Sequence, residues 1–137
     1  MTTIHHISTR DHFTHFTSMP TRWRDMDSRQ HINHAAYLTY LETSRLEFAA
    51  TLFGEETEFI MGTLTIEYHK QLTHRATLHI GQKIVEIGNK SFKILSAIFR
   101  EKEIDPVVTS LATLVSFDYE SQKTLSVPEE ISKRLNE

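Results

Sequence analysis

One segment of this chain has the apolar spacing of a long helix, and it most constrains the fold. Between residues 35 and 53, mainly apolar side chains recur every three or four positions, as in an amphipathic helix. The members of this stripe are Tyr37, Leu41, Ser44, Phe48 and Leu52. Leu38, Ala49 and Phe53 are expected to widen the stripe, and Gly54 stands where a helix is expected to end. The spacing therefore predicts a single helix of about five turns.

The rest of the chain is predicted to form about five antiparallel strands. One strand is expected before the helix, over residues 13–23, where Pro20 indicates an edge position or a bulge. Alternating segments after the helix predict about four more strands. Their markers are Leu64, Ile66 and Tyr68; Leu78, Ile80 and Ile84; Phe92, Ile94 and Ile98 after a Gly88–Asn89 turn; and residues 107–119 after Asp105–Pro106. Gly81 predicts a bulge or bend in the second of these strands.

This order of elements predicts an α+β fold in which a curved antiparallel sheet wraps one long central helix. One sheet around one helix buries only one of its faces well. Apolar strand residues such as Phe92, Ile94 and Phe99 are therefore expected to remain uncovered in a single copy. A second copy would cover them, so we expect a homodimer or homotetramer.

Length and composition predict one soluble domain. The 137 residues, 39% of them apolar and 24% charged, suit a single domain over residues 1–137. Residues 1–11 are expected to be a flexible arm, and the tail over residues 128–137 a short surface helix. The net charge of −3 argues against nucleic acid as a partner. The lack of cysteine excludes disulfides, a thiol nucleophile and thiolate metal ligands.

Neither a signal peptide nor an apolar stretch of the roughly 20 residues needed to cross a bilayer is present. We therefore expect no membrane association, and a cytoplasmic location.

The polar run just before the helix carries the candidate chemistry. Asp25, Asp27, His31 and Asn33 lie within nine positions of one another. They place carboxylates, an imidazole and an amide beside a helix N-terminus, whose free N–H groups favour negative charge. These are the groups needed to attack or hydrolyse an activated carbonyl.

The run from Asp25 to Glu42 resembles the signature of hotdog-fold acyl thioesterases. That signature is an Asp-x-Asp, then Gly-His-Val-Asn-Asn, then Tyr-x-x-Tyr and an acidic residue. It is similar to both the 4-hydroxybenzoyl-CoA thioesterases and the acyl-acyl-carrier-protein thioesterases. The likeness covers about residues 13–119. It implies a hotdog fold, hydrolysis of an acyl thioester of CoA or acyl carrier protein, and a substrate channel between protomers.

Three positions depart from this signature. Gln30 replaces the glycine of the CoA-type motif, and a glycine there would favour a positive backbone φ. His34 replaces the second asparagine of the Asn-Asn pair. Arg29 stands where carrier-protein thioesterases usually have an asparagine of their proposed catalytic set.

The resemblance implies that Asp27 is the catalytic carboxylate, acting as nucleophile or as general base. The alternative is a loop aspartate that caps a turn. Asp25 is expected to hold the loop by accepting backbone N–H bonds. His31 is a candidate general base, proton donor to the leaving thiolate, or orienter of Asp27. Its alternative role is that of a structural histidine.

The helix entry supplies the remaining candidates. Asn33 is expected to cap the helix or to fix the site with its amide, and Tyr37 to pack in the core or contact substrate. The N–H groups of residues 34–37 are candidate donors to a developing oxyanion. Glu42 and Arg45, three residues apart, are expected to pair on the helix surface.

No metal and no cofactor is expected. His31 and His34 lack the spacing of zinc hydrolases, and the segment from Asp25 fails the calcium-loop pattern. An alternative function is a non-catalytic hotdog protein that binds an acyl or aromatic ligand or serves in assembly. The paired Asp27 and His31 favour the enzyme, because a binding module has little need of both.

Overall fold

Helix α1 lies against one curled antiparallel sheet. The computed structural model describes residues 9–53 and 58–135. Its helices are α1 (His34–Phe53) and α2 (Glu129–Ser132), with 3₁₀ turns at Arg10–His12 and Trp23–Asp25. Its strands are β1 (His15–Pro20), β2 (Phe59–Tyr68), β3 (Thr77–Ile87), β4 (Ser91–Arg100), β5 (Val108–Asp118) and β6 (Lys123–Thr124).

The main sheet has the strand order β1-β3-β4-β5-β2, and every pairing in it is antiparallel. The predicted α+β architecture, with one long helix and about five strands, is confirmed. β1 is an edge strand, as Pro20 indicated, but it ends at Pro20 because a 3₁₀ turn follows at Trp23–Asp25. The short β6, which pairs with the end of β5, was not predicted.

The predicted helical stripe faces the core. Its five members are all buried, and Leu41 and Ser44 are 0% exposed. Ala49 widens the stripe as predicted, but Leu38 is 42% exposed. Leu38 follows Tyr37 by one residue, a rotation of about 100° around the helix. The side chain of Phe53 and the predicted stop at Gly54 lie outside what the structure describes.

The predicted surface pair of Glu42 and Arg45 is wrong. Arg45 is only 9% exposed, and its Nη1 has no hydrogen-bond partner within the described ranges. Burial lowers the pKa of the guanidinium, and the nearby Glu42 carboxylate offsets only part of that effect. The i, i+3 spacing does not indicate that the side chain of Arg45 is buried, as that of the neighbouring Ser44 is.

The part of the sheet formed by β3 and β4 is covered on both faces within one copy. Phe92 and Ile94 pack with Phe48 of α1, whereas Phe99 packs with Phe13 on the opposite face. The expectation that Phe92, Ile94 and Phe99 stay uncovered is therefore wrong, since each is at most 1% exposed. The segment before β1 turns back over the sheet and supplies the missing cover.

Gly81 makes room for that cover instead of forming the predicted bulge. A Cβ at Gly81 would come within 2.5 Å of Cγ of Phe13, so only glycine lets this ring lie on the strand. The register between β1, β3 and β4 runs through Gly81 without a break. The irregularity of β3 lies between Ile84 and Glu86.

Both chain ends, the predicted N-terminal arm and the predicted C-terminal surface helix, are anchored where the structure describes them. Arg10 donates from Nε to the carbonyl of Glu103 (2.6 Å) and from Nη2 to that of Arg100 (2.8 Å). Residues 9–11 are therefore not a flexible arm, and residues 1–8 lie outside the described part. The predicted C-terminal helix is present as α2, but it buries Ile131 completely against the Phe48 cluster.

Within the described residues, neither helix has the length and apolar character that crossing a membrane requires.

Candidate active site

The loop between β1 and α1 is held in a narrow, closed shape. Met26 and Ile32 form an isolated antiparallel bridge. Beyond it, the N–H of Asp27 donates to the carbonyl of His31 at 2.7 Å, and the N–H of Gln30 to that of Asp27 at 3.0 Å. Gln30 has a φ of 64°, so this position keeps the left-handed backbone that glycine favours. The departure from the glycine of the signature therefore leaves the turn intact.

Asp25 is buried at the inner end of this loop. Its carboxylate accepts hydrogen bonds from Arg22 Nε (3.1 Å) and Nη2 (2.9 Å), and from the Tyr40 hydroxyl (2.7 Å). Burial raises the pKa of Asp25, but the bonds from Arg22 and Tyr40 outweigh it, so the pKa lies below its ordinary value. Asp25 holds the loop as predicted, but its carboxylate is bound by side chains and not by the predicted backbone N–H groups.

Asp27 is exposed, and its carboxylate is bound on one side only. Its Oδ1 accepts the backbone N–H of Arg29 at 2.9 Å and that of His31 at 3.1 Å. These two bonds hold the pKa of Asp27 below its ordinary value. Its Oδ2 has no hydrogen-bond partner in residues 9–53 and 58–135. The carboxylate thus caps the turn with one oxygen and keeps the other available.

The predicted site residues meet at one cavity of about 460 Å³. Asp27, His31, Asn33 and Tyr37 all line it. Four further lining residues from the end of β2 and the segment after it were missed by sequence reasoning: Tyr68, Lys70, Gln71 and Leu72. They follow the loop by about forty positions and reach it only because β2 ends beside the start of α1. Tyr68 was interpreted as a strand marker, and no local signal distinguished Lys70 or Leu72.

His31 contacts Asp27 through its backbone. Its N–H and its carbonyl bond to Asp27, as described above, while its half-buried imidazole lines the cavity. If His31 orients Asp27, its N–H does so, and the ring is available for another role.

Residues at the start of α1 both cap the helix and line the cavity. Asn33 Oδ1 accepts the N–H of Ala36 at 2.8 Å, which confirms the predicted N-cap, and Asn33 Nδ2 donates to the Asp25 carbonyl at 2.7 Å. Tyr37 is 4% exposed, with its ring centroid 5.4 Å from that of Tyr68. Because the cap occupies the N–H of Ala36, His34 and Ala35 are the better candidates for oxyanion donors. No group of three or more metal-ligating side chains lies together in the described part of the chain.

Comparison with known proteins identifies the class that this fold and site define. Residues 21–135 match the family described as the Thioesterase-like superfamily, and the chain belongs to that superfamily. It is similar to the long-chain acyl-CoA thioesterase FadM of Escherichia coli, with 27% identity over 127 residues, covering 88% of this chain and 96% of FadM.

Solved structures share the fold of this chain. A putative thioesterase from Pseudomonas aeruginosa superposes with a TM-score of 0.82 at 23% identity, covering 88% of this chain and 97% of that one. A thioesterase from Thermus thermophilus, complexed with coenzyme A and zinc, gives a TM-score of 0.77 at 22% identity, with 88% and 90% covered. The hotdog fold implied by the sequence is thereby confirmed. The family and the likeness to FadM support thioester hydrolysis as the class of activity.

Proposed function

We propose that this protein hydrolyses acyl-CoA thioesters, with Asp27 as the catalytic carboxylate. The observation that carries the proposal is that the Asp27 carboxylate, at the wall of the cavity, is hydrogen-bonded through only one of its two oxygens within the described ranges. Two backbone N–H groups fix Oδ1, and Oδ2 is left without a protein partner within the described ranges. A fixed, ionised carboxylate with one available oxygen is suited to attack a carbonyl or to activate water. The relationship to FadM favours CoA over carrier protein as the thiol carrier.

Two routes use the same groups and give the same products. As general base, Asp27 takes a proton from water while the water oxygen bonds to the thioester carbonyl carbon, and the C–S bond then breaks. As nucleophile, Asp27 Oδ2 displaces the thiolate to form an anhydride, which water then hydrolyses. In both routes the free acid and the thiol leave. We assign protonation of the thiolate to the imidazole of His31, and stabilisation of the oxyanion to the N–H groups of His34 and Ala35.

The activity is tested by measuring thiol release from a panel of acyl-CoAs of increasing chain length. The same acyl groups carried on acyl carrier protein form the second arm. We expect turnover of at least one acyl-CoA, with a larger kcat/KM than for the matching carrier-protein substrate. Thermal stabilisation by a non-hydrolysable acyl-CoA analogue, with no turnover of any thioester, would instead establish the non-catalytic binding function.

We also propose that the active unit is a homodimer joined along β2. This strand is the edge of the sheet opposite β1, and it leaves Met61, Leu64 and Tyr68 between 37% and 48% exposed. An apolar edge strand of this kind is a template for pairing with another chain. Because Tyr68 also lines the cavity, a second copy at β2 would close the cavity wall.

Replacing Leu64 with lysine tests this dimer, because an edge charge opposes strand pairing. We expect light scattering to shift from dimer to monomer and kcat/KM to fall with it. Ile104→Lys is the control, since Ile104 is 64% exposed but lies outside β2. A wild-type protein that is monomeric and fully active would contradict the proposal.

A further inference from the structure

A second cavity shares Asp27 with the first. It has a volume of about 360 Å³ and is lined by Trp23, Arg24, Met26, Asp27 and Gln30. Asp27 therefore forms part of the wall of both cavities. A ligand whose reactive carbonyl lies at Asp27 would reach both cavities, one with its acyl group and the other with its thiol side.

Trp23 is unusually exposed for its size. It belongs to the short 3₁₀ turn at the start of the loop, and 75% of its surface is accessible. In the described part of the chain, its indole takes part in no aromatic or cation–π contact. A large flat aromatic surface left in water at the rim of a cavity is typical of a binding site.

The loop around Trp23 carries three arginines, at positions 22, 24 and 29, against the two aspartates at positions 25 and 27, whereas the protein as a whole is acidic. Arg22 is bound to Asp25, but Arg24 and Arg29 are exposed and have no ion-pair partner within the described ranges. Arg24 lines the cavity beside the indole, and Arg29 lies close enough to Asp27 to help lower its pKa. Two available guanidinium groups suit a phosphorylated ligand, because guanidinium binds phosphate oxygens in pairs.

An exposed indole next to available arginines is the combination that binds a phosphorylated nucleotide, by base stacking and phosphate pairing. CoA has such a group, an adenosine with phosphates at the 3′ and 5′ positions, at the end remote from its sulfur. Trp23 precedes Asp27 by four positions, so their Cα atoms lie within about 14 Å of each other. The flexible pantetheine arm of CoA is long enough to span that distance.

We propose that Trp23 and Arg24 form the subsite for the adenosine 3′-phosphate 5′-diphosphate end of CoA. The indole stacks on the adenine, and Arg24 and Arg29 pair with the phosphates. The inference rests on the proposed acyl-CoA function and explains how the site distinguishes CoA from a carrier protein, which has a pantetheine arm but no adenine.

Binding can be measured without any turnover, because Trp23 is the one tryptophan of the chain. Adenosine 3′,5′-bisphosphate is titrated into the full chain, with excitation selective for tryptophan fluorescence. We expect saturable quenching, with a Kd about tenfold weaker for Arg24→Gln and for adenosine without phosphates, the scale of a lost charged contact. Lys90→Gln is the matched control, an exposed cation in the turn at the far end of β3, and it should leave the Kd unchanged.

Several outcomes would overturn the subsite. These are a lack of saturable quenching at millimolar bisphosphate, a Kd that Arg24→Gln leaves unaltered, or quenching by pantetheine and not by the bisphosphate. An emission that changes with protein concentration and not with nucleotide would show that Trp23 contacts a second copy instead.

Kinetics provide the second readout. Trp23→Ala should raise KM for acyl-CoA about tenfold, the scale of a lost base–aromatic stack, and Trp23→Phe should restore most of the loss. The matching acyl-N-acetylcysteamine thioester has no nucleotide, so its kcat/KM should fall much less. An equal fall for both substrates would contradict the subsite, because Trp23 would then act on the loop as a whole. If no thioester is hydrolysed, the proposed function fails, while the fluorescence titration still decides the subsite.

Discussion

The two halves of the loop before α1 use the same residue type in opposite ways. In the inner half, Asp25 is 5% exposed and both its carboxylate oxygens accept bonds from side chains. In the outer half, Asp27 is exposed and is held only by backbone N–H groups on one oxygen. The bridge between Met26 and Ile32 separates the two environments. Asp25 and Asp27 are thus only two positions apart, but Asp25 holds the loop whereas Asp27 keeps one oxygen available.

The pKa values do not separate the two aspartates, since both lie below the ordinary value. Both carboxylates are therefore ionised at neutral pH. What differs is the availability of lone pairs, because Arg22 and Tyr40 occupy both oxygens of Asp25. The proposed catalytic role of Asp27 therefore depends on an available oxygen and not on a difference in charge.

The largest effect is expected for Asp27→Asn. Asparagine keeps an oxygen that accepts the N–H groups of Arg29 and His31, but it can act neither as a base nor as a carboxylate nucleophile. We expect kcat/KM for acyl-CoA to fall about a hundredfold or more, with little change in the urea midpoint of unfolding.

Asp118→Asn is the matched control for this substitution. Asp118 is another turn-capping aspartate, which accepts the N–H of Glu120 at 3.0 Å, and it does not line the cavity. Its substitution should leave kcat/KM unchanged. Near-wild-type turnover by the Asp27 variant would reduce Asp27 to a turn cap like Asp118.

The converse effect is expected for Asp25→Asn, which should lower stability more than specific activity. The amide lacks the charge that binds Arg22, and its NH₂ group faces the donors of Arg22 and Tyr40. We expect the free energy of unfolding to fall by about 2–3 kcal/mol. Tyr40→Phe removes one of the three bonds and should cost about 1 kcal/mol. Urea unfolding measures both. A stable but inactive Asp25 variant would reverse the roles of the two halves.

The stability difference between the wild type and Asp25→Asn should depend on pH. The folded-state pKa of Asp25 is lowered, so its stabilisation is fully present above its unfolded pKa and is lost as the pH falls through the folded value. The difference in stability between wild type and Asp25→Asn should therefore shrink in acid. A difference that stays constant down to the acid-unfolded state would show that ionisation of Asp25 contributes nothing.

Local sequence signals predicted the parts of this site that are local. Asn33 could be assigned as the N-cap because capping depends on residues three positions apart. The buried stripe of α1 could be predicted because helical periodicity alone selects one face. The resemblance to the family signature placed Asp27, His31 and Asn33 in one loop, and all three line the cavity.

What could not be predicted depends on distant segments. Tyr68 lines the cavity only because β2 ends beside α1, and nothing in the sequence of β2 indicates that neighbour. The burial of Phe99 and the need for glycine at position 81 both follow from the fold-back of Phe13. Arg45 and Leu38 lie at the borders of the helical stripe, where the neighbouring segments decide burial and periodicity does not.

A moderate effect is expected for His31→Gln, which separates the two functions of residue 31. Its backbone bonds to Asp27 remain, so the loop should stay intact, while the imidazole in the cavity is removed. We expect a several-fold fall in kcat. A kcat equal to that of the wild type would leave residue 31 with its backbone role alone.

The smallest effect is expected for Gln30→Gly, which tests how the loop holds its outer half. A side chain at a φ of 64° costs about 1–2 kcal/mol, which glycine relieves. The greater freedom of glycine in the unfolded chain offsets about 0.5–1 kcal/mol of that gain. We therefore expect the free energy of unfolding, measured in urea, to rise by about 0–1.5 kcal/mol. Lys102→Gly, at a φ of 70° outside the loop, should give a similar change. A Gln30 variant that loses stability while the Lys102 variant gains it would show that the Gln30 side chain itself supports the Asp27 half of the loop.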